Sequence, residues 1–551
     1  MKTHLTLIVA CLGLASAVGF RIGSGPMASS AAVTTVNAAT PHSPGCACGG
    51  LHSSHFPRGA AATQQVATSL APSKVQTQVP MPRFGDDFSD VAVGEEIDLP
   101  SGVVGTVEAV LVDEDGITRF SGSTLPDGRF VVALNAEGSV TGGFVEVDGA
   151  EMVTNFTLSD SNTTIVTQVA QGDFRCSGIP LAPRIGQLAR KIAPPEPKPG
   201  VNPLSVVVPT FDSVPSAAGV IFLDFDGQVV RDPSWYGGKT IEAAPATIDG
   251  DEITEAQILR ICQAVAEDFS PVNVSVTTSA TRYARAPIGK RIRCIVTPTK
   301  EWLGKSAATT GGVAYMGSFA RLYPTYQSST IPVWCFDQLS EINMAMTISH
   351  EVGHAFNLKH DGDAKSAYYA GHGNWGPLMG APFNMTITQW SKGEYAGANN
   401  KQDDIAILTG TANKVGRRAD DVGSTPATAR KLATSTGTLS QTGLLSLAGD
   451  LDYFEIKANA GTLNLAATSI WTTNWQQNTD FTIALYDGPT VLAVASPSST
   501  SATLRFSLPK AGTYHIVMQP SSYGDPKTTG YSTYGALGHY RLTGTFPKPL
   551  N

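Results

Sequence analysis

The chain has 551 residues, too many for one hydrophobic core, so several domains are expected. Hydrophobic residues make up 42% and charged residues 15%, with 55 glycines, a globular composition that suits β-rich, loop-rich domains more than helical bundles. The net charge of −8, from 38 basic and 46 acidic residues without a basic block, argues against a nucleic-acid partner.

In chain order, Met1–His4 carries one Lys, Leu5–Leu14 is apolar, and Ala15-Ser16-Ala17 is a small-x-small site. Residues 1–17 therefore read as a secretory signal peptide, with export of a secreted product expected. The apolar run is too short to span a bilayer, and no transmembrane segment is expected further on. Ile8-Val9-Ala10-Cys11 also reads as a lipoprotein box, against which stands the short stretch before Cys11. Residues 18–80 are rich in Ala, Ser, Thr and Gly and read as a low-complexity, disordered leader. Cys46-Ala47-Cys48 with His52 and His55 lies there and fits no zinc spacing.

Residues 81–190 alternate short apolar runs (Gly102–Val112, Phe130–Leu134, Gly143–Val147, Thr164–Val169) with Asp-Gly turns at 115, 127 and 148, the pattern of a small β domain. Residues 191–204 contain Ala193-Pro194-Pro195-Glu196-Pro197-Lys198-Pro199-Gly200 and form an extended linker. Residues 205–415 alternate strands and helices. Gly219–Phe225, Val272–Thr277, Arg291–Thr297, Gly312–Phe319 and Ile331–Phe336 are predicted strands. Thr254–Phe269 and Glu341–Asn357 are predicted helices, with a last one from Asp403. Residues 420–551 hold short alternating segments such as Tyr453–Ile456, Thr482–Tyr486 and Tyr514–Met518, which predict a separable β-sandwich. Of seven cysteines, Cys262, Cys294 and Cys335 allow one disulfide in an oxidising compartment, with the pair left open.

The chemistry sits in His350-Glu351-Val352-Gly353-His354-Ala355-Phe356-Asn357-Leu358-Lys359-His360-Asp361. Residues four apart share a helix face, so His350 and His354 can hold one metal, while Glu351 is turned toward a water. A continuing helix would carry His360 about 9 Å further along the axis and onto another face. The helix must therefore stop near Asn357, and Asn is the best non-Gly residue for the left-handed turn this requires. Three imidazoles leave the fourth position of a tetrahedral Zn²⁺ for water, which marks a catalytic site with Glu351 as general base. The alternative is three unrelated histidines, yet only 10 occur in the chain.

This segment resembles the zinc motif of metzincin metallopeptidases, His-Glu-x-x-His-x-x-Gly-x-x-His, with Asn357 in place of Gly, and Asp361 resembles the reprolysin (adamalysin) branch. The resemblance implies an α/β catalytic domain at 205–415, a mixed sheet with an active-site helix and a Met-turn. The candidate Met-turn is Gly376-Pro377-Leu378-Met379-Gly380-Ala381-Pro382, with Met379 as its methionine. Ala381 stands where astacin-like members carry Tyr, so no Tyr ligand is implied. A peptide substrate would lie antiparallel to an edge strand, for which Gly312–Phe319 is the candidate. The β domain at 81–190 then becomes a prodomain. Phe174-Arg175-Cys176-Ser177-Gly178-Ile179-Pro180 is a loose match to a cysteine switch, in which the Cys176 thiol would block the zinc and Arg175 would lower its pKa. A buried structural cysteine is the alternative. The tail resembles a bacterial pre-peptidase C-terminal domain through Gly449-Asp450-Leu451-Asp452-Tyr453-Phe454, which suggests Ca²⁺ at Asp450 and Asp452, or else a solvated turn. Leu223-Asp224-Phe225-Asp226-Gly227 invites a Ca²⁺ reading too. The expected protein is thus a secreted zinc endopeptidase made as a zymogen. The alternatives are an exported binding or matrix protein with an inactive metallopeptidase-like domain, and a zinc hydrolase with another substrate.

Overall fold

The computed structural model describes residues 74–81, 91–112, 117–135, 138, 140–158, 164–176, 178–182, 206–320, 331–433, 435–470, 477–496 and 501–549. The expected signal peptide, Cys11, Cys46, Cys48, His52, His55 and the expected Pro-rich linker lie outside them.

The first region is one eight-stranded antiparallel sheet. Its spatial order is Lys74–Met81, Thr164–Ala170, Met152–Leu158, Val140–Val147, Gly128–Leu134, Thr118–Leu125, Val103–Val112, Glu96–Leu99. Lys74–Met81 begins within the stretch assigned to the leader, residues 18–80, which corrects that boundary: this segment is a strand paired with Thr164–Ala170. Its sequence, Lys-Val-Gln-Thr-Gln-Val-Pro-Met, alternates too few apolar residues to stand out from its surroundings. Alternate residues of the sheet point to opposite faces, and both faces are covered. Phe130, Val132, Val145 and Phe156 form one core. Val131, Phe144, Val153 and Val169 face the other way, against Trp235, Tyr315 and Trp334 of the next region.

That region is built on a five-stranded sheet ordered Val274–Thr277, Gly219–Asp224, Arg291–Thr297, Val333–Phe336, Gly312–Val313. The first four strands are parallel and the last is an antiparallel edge. Continuous burial along the parallel strands is what a sheet covered on both faces requires. Ile221, Leu223, Cys294, Val296 and Cys335 pack against the helices Glu255–Asp268 and Glu341–Ala355. Val220 and Phe222 meet Tyr283 on the opposite face, and Ile295, Trp334 and Phe336 join the core shared with the first sheet. Thr254 and Gln257 form a capping box at the start of the first helix, and Ser340 caps the second. The predicted edge strand 312–319 is shorter within this sheet, ending at Val313, because the chain beyond it pairs with residues 174–176 instead.

The tail forms two packed sheets of five and four strands around Phe454, Ile456, Leu463, Phe481, Tyr514, Ile516 and Tyr540. It does not stand apart from the middle region. Leu537 lies in the core of the latter. Thr479 donates to Glu267 at 2.8 Å, Asn478 donates to Asp268 at 2.7 Å, and His372 Nε2 meets the Gly530 carbonyl at 2.8 Å. The two regions thus stay in contact across the change of composition near residue 420. Cys176, Cys262, Cys294 and Cys335 are free thiols, with Cys294 and Cys335 sulfurs 3.5 Å apart. No described helix is long and apolar enough to cross a membrane.

Candidate metal centre

The helix Glu341–Ala355 brings His350 and His354 onto one face, with their Nε2 atoms 3.1 Å apart. It stops as the sequence requires. Asn357 has φ +77°, Asn357 N–H donates to the His354 carbonyl at 2.8 Å, and Leu358 N–H donates to the Gly353 carbonyl at 3.1 Å. These two bonds are a Schellman motif with Asn in the usual glycine position. The reversal returns His360, whose Nε2 lies 3.0 Å from that of His354. It also places the Leu358 carbonyl 2.7 Å from His354 Nδ1, while the Leu378 carbonyl lies 2.9 Å from His350 Nδ1.

Those carbonyls only accept, so each Nδ1 carries the proton and each Nε2 presents a lone pair to the centre. Burial pushes all three imidazoles down: His354 to about 4, and His350 and His360 well below the usual histidine range, so they are neutral at pH 7. The Nε2 lone pairs of His350 and His354 face each other at 3.1 Å, with His360 Nε2 3.0 Å from the latter, an arrangement that a shared cation would satisfy. Tetrahedral Zn²⁺ with imidazole ligands would set such nitrogens about 3.3 Å apart, so the residues fit the metal.

Met379 is fully buried below the helix, and a Cβ on Gly353 would come within 2.6 Å of its sulfur. The Met379 carbonyl accepts from Asp361 N–H at 2.8 Å, which ties the turn to the residue after His360. Glu351 is buried as well, within hydrogen-bond reach of the Cys176 thiol. Gly312 leaves it room, since a Cβ there would sit 2.6 Å from Glu351 Cγ. Burial raises the Glu351 carboxyl to about 8.

Cys176 occupies the open side of the imidazoles, with Sγ 3.2 Å from His360 Nε2. The thiol and the three histidines form one group whose ligand atoms all lie within 4.8 Å. Burial first, then the Glu351 charge, push the thiol up; Arg175 lowers it less, because its guanidinium turns to Glu146 at 2.9 Å. Arg175 thus acts in the expected direction, but burial and Glu351 outweigh it. The flanking residues form an antiparallel pairing with the edge, Arg175 opposite Tyr315 and Pro180 opposite Thr310. Cys176 N–H donates to the Ala314 carbonyl at 3.0 Å, and Gly311 N–H to the Ile179 carbonyl at 2.7 Å. Gly178, at φ +95°, kinks the strand between those contacts. One peptide unit then meets two side chains. Tyr368 hydroxyl donates to the Gly178 carbonyl at 2.7 Å, and Ile179 N–H donates to Glu351 Oε1 at 3.4 Å. Sequence reasoning missed Tyr368, which belongs to no spacing motif.

The acidic residues of the tail also come together. Asp450 and Asp452 are joined by Asp420, which the sequence reading left out, with ligand oxygens within 4.8 Å. Asp224 and Asp226 line a cavity of about 450 Å³, with Arg293 as a cationic neighbour 3.5 Å from Asp224.

No family profile and no curated protein matches the chain. A pre-peptidase C-terminal-like fold matches a small part of it: the domain from a Bacillus anthracis collagenase, at 15% identity, covers 23% of this chain and 98% of its own, with a TM-score of 0.15. The periplasmic g-type lysozyme inhibitors PliG of Aeromonas hydrophila and Salmonella Typhimurium match at 11% and 10% identity. They cover 21% of this chain and 94% and 95% of their own, with TM-scores of 0.16 and 0.14.

Proposed function

We propose that the protein is a zinc-dependent endopeptidase with a metzincin-type catalytic region, held latent by its own residues 174–182. The observation that carries this reading is the convergence of three neutral imidazoles, each of two fixed by a carbonyl at Nδ1, beside a buried Glu351. Zinc held by His350, His354 and His360 would supply Lewis acidity and a coordinated water of lowered pKa. Glu351 takes the proton of the attacking water and delivers it to the leaving nitrogen. The edge beginning at Gly312 hydrogen-bonds an extended peptide, as it does residues 174–181. Cys176 competes for the place the water needs, and a strand clamped on both sides of it excludes substrate.

The test is to assay the purified, processed protein for zinc and for hydrolysis of casein or a quenched fluorescent peptide. About one zinc per chain is expected, with activity lost to a chelator and restored by zinc. A zinc-replete, processed protein that cleaves no peptide would overturn the reading. The proximity of Cys176 favours one alternative, a closed Cys-His₃ structural site in a non-enzymatic exported protein. In that case zinc remains bound only while residues 174–182 are attached, and no processed form is active.

A further inference from the structure

We propose that Tyr368 is a catalytic residue of this reaction, its phenol donating to the carbonyl oxygen of the bond being cleaved. The inference rests on the zinc peptidase reading above. Residues 174–176 and 179–181 are the molecule's own example of a peptide lying along the edge strand. Within it a single peptide unit, Gly178–Ile179, is gripped at both ends. Tyr368 hydroxyl meets its oxygen at 2.7 Å and Glu351 carboxylate meets its nitrogen at 3.4 Å. Those are the two atoms that amide hydrolysis charges. Water oxygen bonds the carbonyl carbon, the C–N bond breaks with its electron pair on nitrogen, and one water proton reaches that nitrogen through Glu351. The other proton leaves with the new carboxyl group. Between these events the carbonyl oxygen carries negative charge, and a donor already aimed at it lowers the barrier.

Tyr368 is also held at the metal ligands. Its ring centroid is 4.3 Å from that of His360 and 6.1 Å from that of His350. Its hydroxyl is within hydrogen-bond reach of the Cys176 sulfur, the atom on the open side of the imidazoles. The loop after His360 fixes it. Asp363 accepts from Lys365 and Ser366 N–H at 2.8 and 2.9 Å, and Ser366 hydroxyl bonds both Tyr368 N–H and Tyr368 carbonyl. Tyr369 N–H donates to the Asp361 carbonyl at 2.7 Å, closing the loop onto the residue beside the metal ligand. In the latent chain the Gly178–Ile179 unit is kinked at Gly178, and the thiol stands where water would attack.

The experiment is Tyr368→Phe in the processed protein, which keeps the ring against His360 and removes only the donor. Expected are unchanged zinc content, KM within about twofold, and kcat down about 10²–10³-fold, the usual cost of one oxyanion donor. Affinity for a phosphinic peptide, which presents the tetrahedral oxygens, should fall in proportion to kcat, while affinity for the matched amide should hold. Tyr368→His, which restores a donor, should recover part of both losses. A kcat within about threefold of the parent overturns the inference, and so does loss of zinc in step with activity, since Tyr368 would then merely support His360. An active parent with a fully active Tyr368→Phe sinks this inference alone. A zinc-replete parent without hydrolysis sinks the peptidase reading and this inference with it.

Discussion

The sulfur of Cys176 lies 3.2 Å from Nε2 of His360, across 184 residues of chain. With linker cleavage prevented, a Cys176→Ser precursor should hydrolyse a short peptide while the parent precursor stays silent. Thiol alkylation of the parent should give the same release. Equal silence of both precursors would assign latency to steric cover by the first sheet, with the thiol incidental.

Glu351→Gln should keep its zinc and lose about 10²–10⁴-fold in kcat, because the side chain is beside the ligands and not among them. His360→Ala should lose zinc affinity instead. Metal analysis alongside turnover separates the two, and near-normal turnover of Glu351→Gln would dismiss the mechanism.

Asn357 carries the φ of +77° that reverses the chain between His354 and His360. Asn357→Gly should be neutral or stabilising. Asn357→Val should cost about 1–2 kcal/mol and weaken zinc binding, since a β-branched residue resists the left-handed region. Urea unfolding of both variants and a competitive zinc titration check this.

Removing residues 420–551 should prevent residues 206–415 from folding cooperatively, because Leu537 belongs to their core and Glu267 and Asp268 would lose their partners from the tail. In the full chain Leu537→Ala should cost about 2–5 kcal/mol. A truncated chain with a sharp unfolding transition would show that this packing is dispensable.

Burial raises Asp268 to about 7 from an ordinary value of 3.8. Between about pH 4 and 7 the folded protein retains a proton that the unfolded chain has released. This group's contribution to stability therefore declines as pH rises through that window and is level above it. The lowered imidazoles of the metal site act in the opposite direction, so the measurement is a difference. The urea midpoint of the metal-free parent relative to that of Asp268→Asn should fall from pH 4.5 to 7.5. A flat difference would mean Asp268 is ionised throughout.

What was legible in the sequence was local. His350 and His354 announce themselves by helical spacing, and His360 together with Asn357 demands a reversal that a single left-handed residue supplies. Met379 was legible because a Met in a turn just downstream of the histidines is a short-range signal. The register of residues 174–181 on the edge was not, because it joins segments far apart in sequence through main-chain atoms that every residue shares. Tyr368 was hidden for a similar reason, since its place beside His360 depends on a loop folding back over the histidines. The burial of Leu537 among the helices was hidden too, as an apolar residue in a loop carries no period to say which core receives it.

The pairing of residues 174–176 and 179–181 with the edge has a kinetic consequence. Cutting the chain anywhere between 182 and 206 breaks one covalent link and none of these hydrogen bonds. On the proposed reading, the inhibitory segment would pass from a tethered ligand, at an effective concentration in the millimolar range for a short tether, to a free one at the concentration of the protein itself. A nicked sample should therefore remain silent when concentrated and gain activity on dilution, so that dilution would complete a switch that cleavage begins.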